Sequence, residues 1–135
     1  ERNAVVRQKD TLKRKQFVKG VEQIAQEGAI QIFQEYMGGM EEIIVGVVGV
    51  LQFDVLKYRL ENEYNVEIRL ENLPYEYIRW IENEEIDLDK LTGTSDMKKV
   101  KDLKGRPLLL FVNEWSIRMT IDRNDGLKLT EFGRS

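Results

Sequence analysis

Hydrophobic positions recur every three or four residues over residues 12–27. Phe17, Val18, Val21, Ile24 and Ala25 fall on one helical face, with Lys13, Lys15 and Lys19 on the other. Asp10 or Thr11 is placed to cap the start of this helix and Gly28 to end it. Gly20 inside the helix costs on the order of 1 kcal/mol relative to alanine, so close packing is expected there. Residues 29–36 then alternate as a strand, with Ile30 and Ile32 on one side and Phe33 on the other. Met37-Gly38-Gly39-Met40 supplies a hairpin tip. The unbroken apolar run Ile43-Ile44-Val45-Gly46-Val47-Val48 reads as a strand buried on both faces. A second helix is expected over 50–64 from Phe53, Leu56, Leu60 and Tyr64, with Asn65 taking the left-handed exit. Val66, Ile68 and Leu70 alternate with Glu67, Arg69 and Glu71 as a half-buried strand.

If Val5-Val6 begins a leading strand, the order is βαββαβ. That order defines an α+β, ferredoxin-like split βαβ sandwich, an antiparallel sheet with both helices on one face. The remainder reads as an α/β extension. Pro74 breaks the chain, residues 77–81 form a strand, and residues 82–96 form a short helix and loop around Ile86, Leu88 and Leu91. Residues 97–112 form a hairpin turning near Gly105. Residues 115–121 carry two signals. Trp115, Ile117, Met119 and Ile121 alternate like a strand, whereas Asn113, Arg123 and Gly126 are helix start and stop signals. Helix is the reading taken.

The length of 135 residues is that of one ordinary domain. The longest apolar run, residues 43–51, is far short of the ~20 residues of a membrane span. No secretory signal opens the chain, and a start at Glu1 rather than Met is expected of a piece of a longer polypeptide. Cysteine and histidine are both absent, which removes thiol nucleophiles, Ser-His-Asp triads and Cys/His zinc sites. The lack of cysteine fits a reducing compartment.

The net charge of −3 is unevenly spread: residues 1–20 carry seven Lys/Arg against two acids, a local +5. Residues 82–96 hold six acids against Lys90, and residues 98–106 hold Lys98, Lys99, Lys101, Lys104 and Arg106 against Asp102. Such runs are ordinarily solvated faces. The functional alternative for the basic ones is an anionic partner such as a phosphate backbone.

No other constellation carries chemistry. Gly46-Val47-Val48-Gly49 lacks the lysine and hydroxyl of a phosphate-binding loop, and its glycines are better read as letting a helix pack on a strand. The acidic run 82–89 lacks the spacing of a calcium loop. Trp80 and Trp115, near Arg79 and Arg118, are residue types that stack bases, but more often tryptophan lies at the edge of a core.

One resemblance goes further. Ile43 to Val55, with Gln52-Phe53-Asp54 at its centre, followed by Arg59-Leu60 and Glu63-Tyr64-Asn65-Val66-Glu67, resembles the peptide chain release factor 3 family of bacterial translational GTPases. So do Lys15-Gln16, Lys19-Gly20, Glu22-Gln23, Glu27-Gly28-Ala29, Gln31, Phe33 and Arg79-Trp80-Ile81-Glu82. Arg106-Pro107 and Asn113-Glu114-Trp115 extend the likeness more loosely. Elongation factor G has a related passage with a histidine-containing pattern where this chain has Gln52-Phe53-Asp54.

The resemblance implies a C-terminal domain, with residues 1–14 an interdomain linker or leading strand, 15–72 the core and 73–135 its extension. A GTPase domain and a β-barrel domain would precede it, and GTP or GDP with magnesium would bind there, leaving no catalytic residue, cofactor or metal site in this part. The implied partners are those two domains, small-subunit ribosomal RNA and protein, and indirectly the stop-codon release factors, in the cytoplasm and without a membrane. Lys13, Lys15 and Lys19 are the candidate contacts, with Lys98, Lys99, Lys101 and Lys104 as a second set. The alternative is a free-standing ferredoxin-like module that binds a small ligand or RNA. Sheet readout of RNA needs exposed aromatics, and Ile44, Val45, Val47 and Val48 offer none.

Overall fold

The computed structural model describes residues 2–28, 30–37 and 42–132. Among these, eight strands and three α-helices form an α+β protein that divides into two compact units, Glu1–Leu73 and Pro74–Ser135. Length gave no sign of this division, but Pro74 marks it.

The first unit runs β1 (Arg2–Gln8), α1 (Arg14–Gln26), β2 (Gln31–Glu35), β3 (Ile43–Val47), α2 (Leu51–Glu63) and β4 (Ile68–Leu73). Its strand order is β4-β1-β3-β2, with every neighbouring pair antiparallel. Each helix therefore crosses over one intervening strand, as a split βαβ requires. Ala4, Val6, Ile32, Ile43, Val45 and Ile68 from the sheet join Phe17, Val21 and Ile24 of α1 and Phe53, Leu56 and Leu60 of α2 in one core. Burying each of the large side chains contributes about 1.5–3 kcal/mol. All five positions of β3 are buried, which is why it shows no alternation.

The helix ends have local causes. Gly28 at φ 82° and Asn65 at φ 57° take the left-handed conformation that ends α1 and α2. Gly20 is where the helices meet: a Cβ there would lie 2.8 Å from Leu60 Cδ2 and 2.9 Å from the Tyr64 ring. Gly49 differs from expectation, since a Cβ there would meet nothing within 4 Å, so it serves no helix–strand packing. The first turn before α1 is a 3-10 turn, Thr11–Lys13, because the Asp10 side chain accepts from the Leu12 N–H at 3.0 Å. Leu12 is thereby left exposed outside the core. Strand β4 starts at Ile68 rather than Val66, whose N–H is held by the Leu60 carbonyl at 2.8 Å. The expected tip at 37–40 lies mostly outside the described residues.

The second unit runs β5 (Tyr77–Ile81), β6 (Met97–Asp102), β7 (Pro107–Phe111), α3 (Glu114–Arg123) and β8 (Leu129–Thr130), ordered β6-β7-β5-β8 and antiparallel throughout. A 3-10 turn at Leu88–Lys90, capped by Asp87, is all the helix that the acidic stretch forms. Residues 115–121 are helical. The Asn113 side chain caps α3 by accepting from the Ser116 N–H at 2.8 Å. Its buried residues are Ser116, Ile117 and Thr120, not the alternating set. The two hydroxyls are satisfied by carbonyls one turn back, Asn113 and Ser116, each at 2.8 Å.

Candidate functional site

The basic residues of the N-terminal segment are not used alike. Lys13 Nζ donates to the Asn65 carbonyl at 3.0 Å and ties the turn before α1 to the exit of α2. Lys15 and Lys19, four residues apart, share an open groove of about 730 Å³ on the outer side of α1 with Arg14, Gln16, Leu12 and Val18. Among the described residues neither ammonium is held in an ion pair. Arg14 was missed in sequence, although its position beside Lys15 was a signal. Glu22 lines the same groove, so three cations stand against one carboxylate and the face is net positive, the sign that suits an anion.

The second basic set does not form one surface. Successive residues of a strand point to opposite sides, so Lys98 lies on the side of buried Val100 and Asp102, and Lys99 and Lys101 on the other. Lys99 Nζ donates to the Leu88 carbonyl at 2.6 Å. Asp102, the one acid of this run, is its organiser. Its carboxylate accepts from the N–H groups of Lys104 and Arg106 at 2.9 Å each and from Arg106 Nε at 2.7 Å. Gly105 at φ 80° completes that turn. Lys104 remains on the exposed turn.

The tryptophans have separate surroundings. Trp80 Nε1 approaches Asp102 Oδ2 at 3.5 Å, and Arg79 stacks on Tyr77, 5.7 Å from the ring centre. Trp115 is exposed on α3. Among the described residues no three acidic, histidine or cysteine side chains converge on a metal-sized site.

The turn from β3 into α2 has the strand–loop–helix form in which nucleotide phosphates are cradled by backbone N–H groups. Here those donors are taken. Gln52 Oε1 accepts from the N–H of Val48 at 2.9 Å and of Gly49 at 3.3 Å. Gly46 is buried between Asn3 and Gln31 in the sheet. With no lysine or hydroxyl in the loop, these residues do not fit a nucleoside triphosphate and its magnesium.

One charged cluster clasps the two helices. Arg59 on α2 donates to Glu63 at 2.7 and 2.9 Å and forms a two-bonded pair with Glu27 just past α1. Hydrogen bonds from Arg59 hold both carboxyls below the usual carboxylate range, and bonds to Glu63 and then Glu27 raise the guanidinium.

Fold and site together define a small α+β domain with a cationic helix face. Residues 1–121 match the family described as Class II release factor RF3, C-terminal domain, and the chain belongs to that family. It is 46% identical over 127 residues to peptide chain release factor 3 of Symbiobacterium thermophilum, covering 94% of this chain and 24% of that protein. It is 44% identical over 124 residues to the protein of the same name from Listeria welshimeri, covering 92% and 23%. For that of Ligilactobacillus salivarius the identity is 41% over 122 residues, covering 90% and 22%. The chain thus spans about a quarter of the length of these relatives. Among the described residues no helix is long and apolar enough to cross a membrane.

Proposed function

We propose that this chain is the C-terminal domain of a cytoplasmic translational GTPase that promotes recycling of stop-codon release factors, and that it contacts the small ribosomal subunit and packs against the preceding domains. The observation that carries this reading is the family match over residues 1–121. Nucleotide and magnesium then bind in the part of the longer polypeptide outside this chain, a reading the misfit of the β3–α2 turn supports. The domain's work is then mechanical. It transmits domain orientation to the ribosome as a rigid dock, with no bond made or broken on its own residues.

The groove of Lys15, Lys19 and Arg14 supports phosphate contact, whereas Lys98, Lys101 and Lys104 are candidates only as separate contacts, since Lys98 and Lys101 lie on opposite sides of β6. Lys13 and Lys99 have backbone partners of their own. In a full-length factor carrying this domain, Lys15→Ala with Lys19→Ala is expected to weaken ribosome binding. Each lost phosphate contact to single-stranded RNA lowers the slope of log affinity against log salt by about 0.7. An unchanged affinity and slope removes the groove from the interface. Retained coupling between nucleotide state and release-factor ejection after deletion of the whole domain contradicts the mechanical role.

A further inference from the structure

Helix α2 has two apolar faces. Phe53, Leu56 and Leu60 point into the core. On the opposite side Leu51, Val55 and Tyr58 follow one another at four- and three-residue spacing and are 74%, 51% and 66% exposed. The turn leading into the helix adds Val48 at 84% and Val50 at 58%. Of the eleven large apolar side chains exposed among the described residues, these five fall within residues 48–58, so the exposure is concentrated in one patch. Asp54 and Glu61 border it on one side and Arg59 on the other, the arrangement of an apolar centre with a polar rim. The patch is also held still. Gln52 takes both turn N–H groups, and the Gly49 and Val50 carbonyls accept from the N–H of Gln52 at 3.0 Å and of Phe53 at 3.1 Å. A fixed, contiguous apolar surface of this kind marks an interface.

What covers it follows from where the polypeptide enters. Arg2, the first residue of β1, pairs with Val47, the last residue of β3 before the turn that carries Val48, so the chain enters the sheet at the patch's end of it. In the relatives about three quarters of the polypeptide lies outside the matched region, and the matched family is a C-terminal domain. We propose that Val48, Val50, Leu51, Val55 and Tyr58 form the docking surface for the domain immediately N-terminal to this one in the same polypeptide, which meets them with an apolar surface. This rests on the reading of the chain as one domain of a longer factor.

The test is thiol labelling of the full-length factor carrying this domain, with Val55→Cys on the patch and Gln16→Cys on the open face of α1, read by peptide mass spectrometry. Both positions are exposed in this domain. The cysteine at 55 is expected to react about tenfold more slowly than that at 16, independently of protein concentration. Adding Leu51→Asp is expected to restore its rate. Tyr58→Cys provides the same reading if the first variant misfolds. Equal rates at the two positions overturn the proposal, and so does protection that rises with concentration, which assigns the patch to a second copy. Ribosome binding of the Val55→Cys protein, with Gln16 left in place, separates the two claims. Protection at 55 without ribosome binding leaves the docking surface standing and sinks the functional reading. Equal labelling with binding intact does the reverse.

Discussion

Helices α1 and α2 are each 13 residues long, lie on the same face of the same sheet and touch at Gly20 and Leu60, yet their outward sides are opposites. α1 turns Lys15, Gln16, Lys19 and Glu22 to solvent, whereas α2 turns out Leu51, Val55 and Tyr58. The inward stripes fix both helices, so the outward residues are free to answer to something other than the fold. A polar outward face is what an isolated amphipathic helix has. An apolar one buries little within this domain, and a contiguous patch of this kind is characteristic of interaction surfaces. The pair therefore teaches that one domain turns out two kinds of surface side by side, charged on α1 and apolar on α2.

The largest expected effect comes from breaking what the helices share. Gly20→Ala places a methyl 2.8 Å from fully buried Leu60 and 2.9 Å from the Tyr64 ring. Overpacking of that kind costs on the order of 1–3 kcal/mol, which outweighs the up to about 1 kcal/mol of helix propensity gained. The urea midpoint is expected to fall with the m-value unchanged. A rise in the midpoint means the helices have room to separate.

A smaller loss is expected for Arg59→Ala, which opens the clasp between Glu27 and Glu63. Both carboxyls lie below their ordinary value of 4.5 in the folded protein, so their contribution is present above that value and is lost as pH falls through the folded ones. The difference in melting temperature between wild type and variant is therefore expected to be full at neutral pH and to shrink below about pH 4.5. A difference that grows on acidification contradicts the assignment. The smallest effect is that of Lys13→Ala. Loss of one exposed hydrogen bond to the Asn65 carbonyl costs about 0.5 kcal/mol. The salt dependence of ribosome binding is expected to stay as in wild type, in contrast to the Lys15 and Lys19 changes.

Much of the fold was legible because its signals are local. Gly28, Asn65 and Asn113 mark helix ends through backbone conformation or a cap within three residues, and Gly20 announced a close approach. The order βαββαβ followed from periodicity. What the sequence left open was decided by contacts that are long-range or polar. Ser116 and Thr120 are buried yet polar, so an apolar alternation in α3 pointed to the wrong pattern. Lys13 has a carbonyl partner 52 residues away, which its local sequence does not announce. Lys99 is committed by the carbonyl of Leu88, in an acidic stretch that looked independent. Asp102 looked like an exception in a basic run and proves to be its centre. The second apolar face of α2 was in plain view at 51, 55 and 58, but a count of hydrophobic residues does not separate the side that faces the core from the side that does not.

Labelling Gln16→Cys and Val55→Cys in the full-length factor, free and bound to the ribosome, tests both faces at once. The cysteine at 16 is expected to react fast in the free protein and to be slowed on the ribosome, while the cysteine at 55 is slow in both states. Fast reaction at both positions, unaltered by the ribosome, would contradict both assignments.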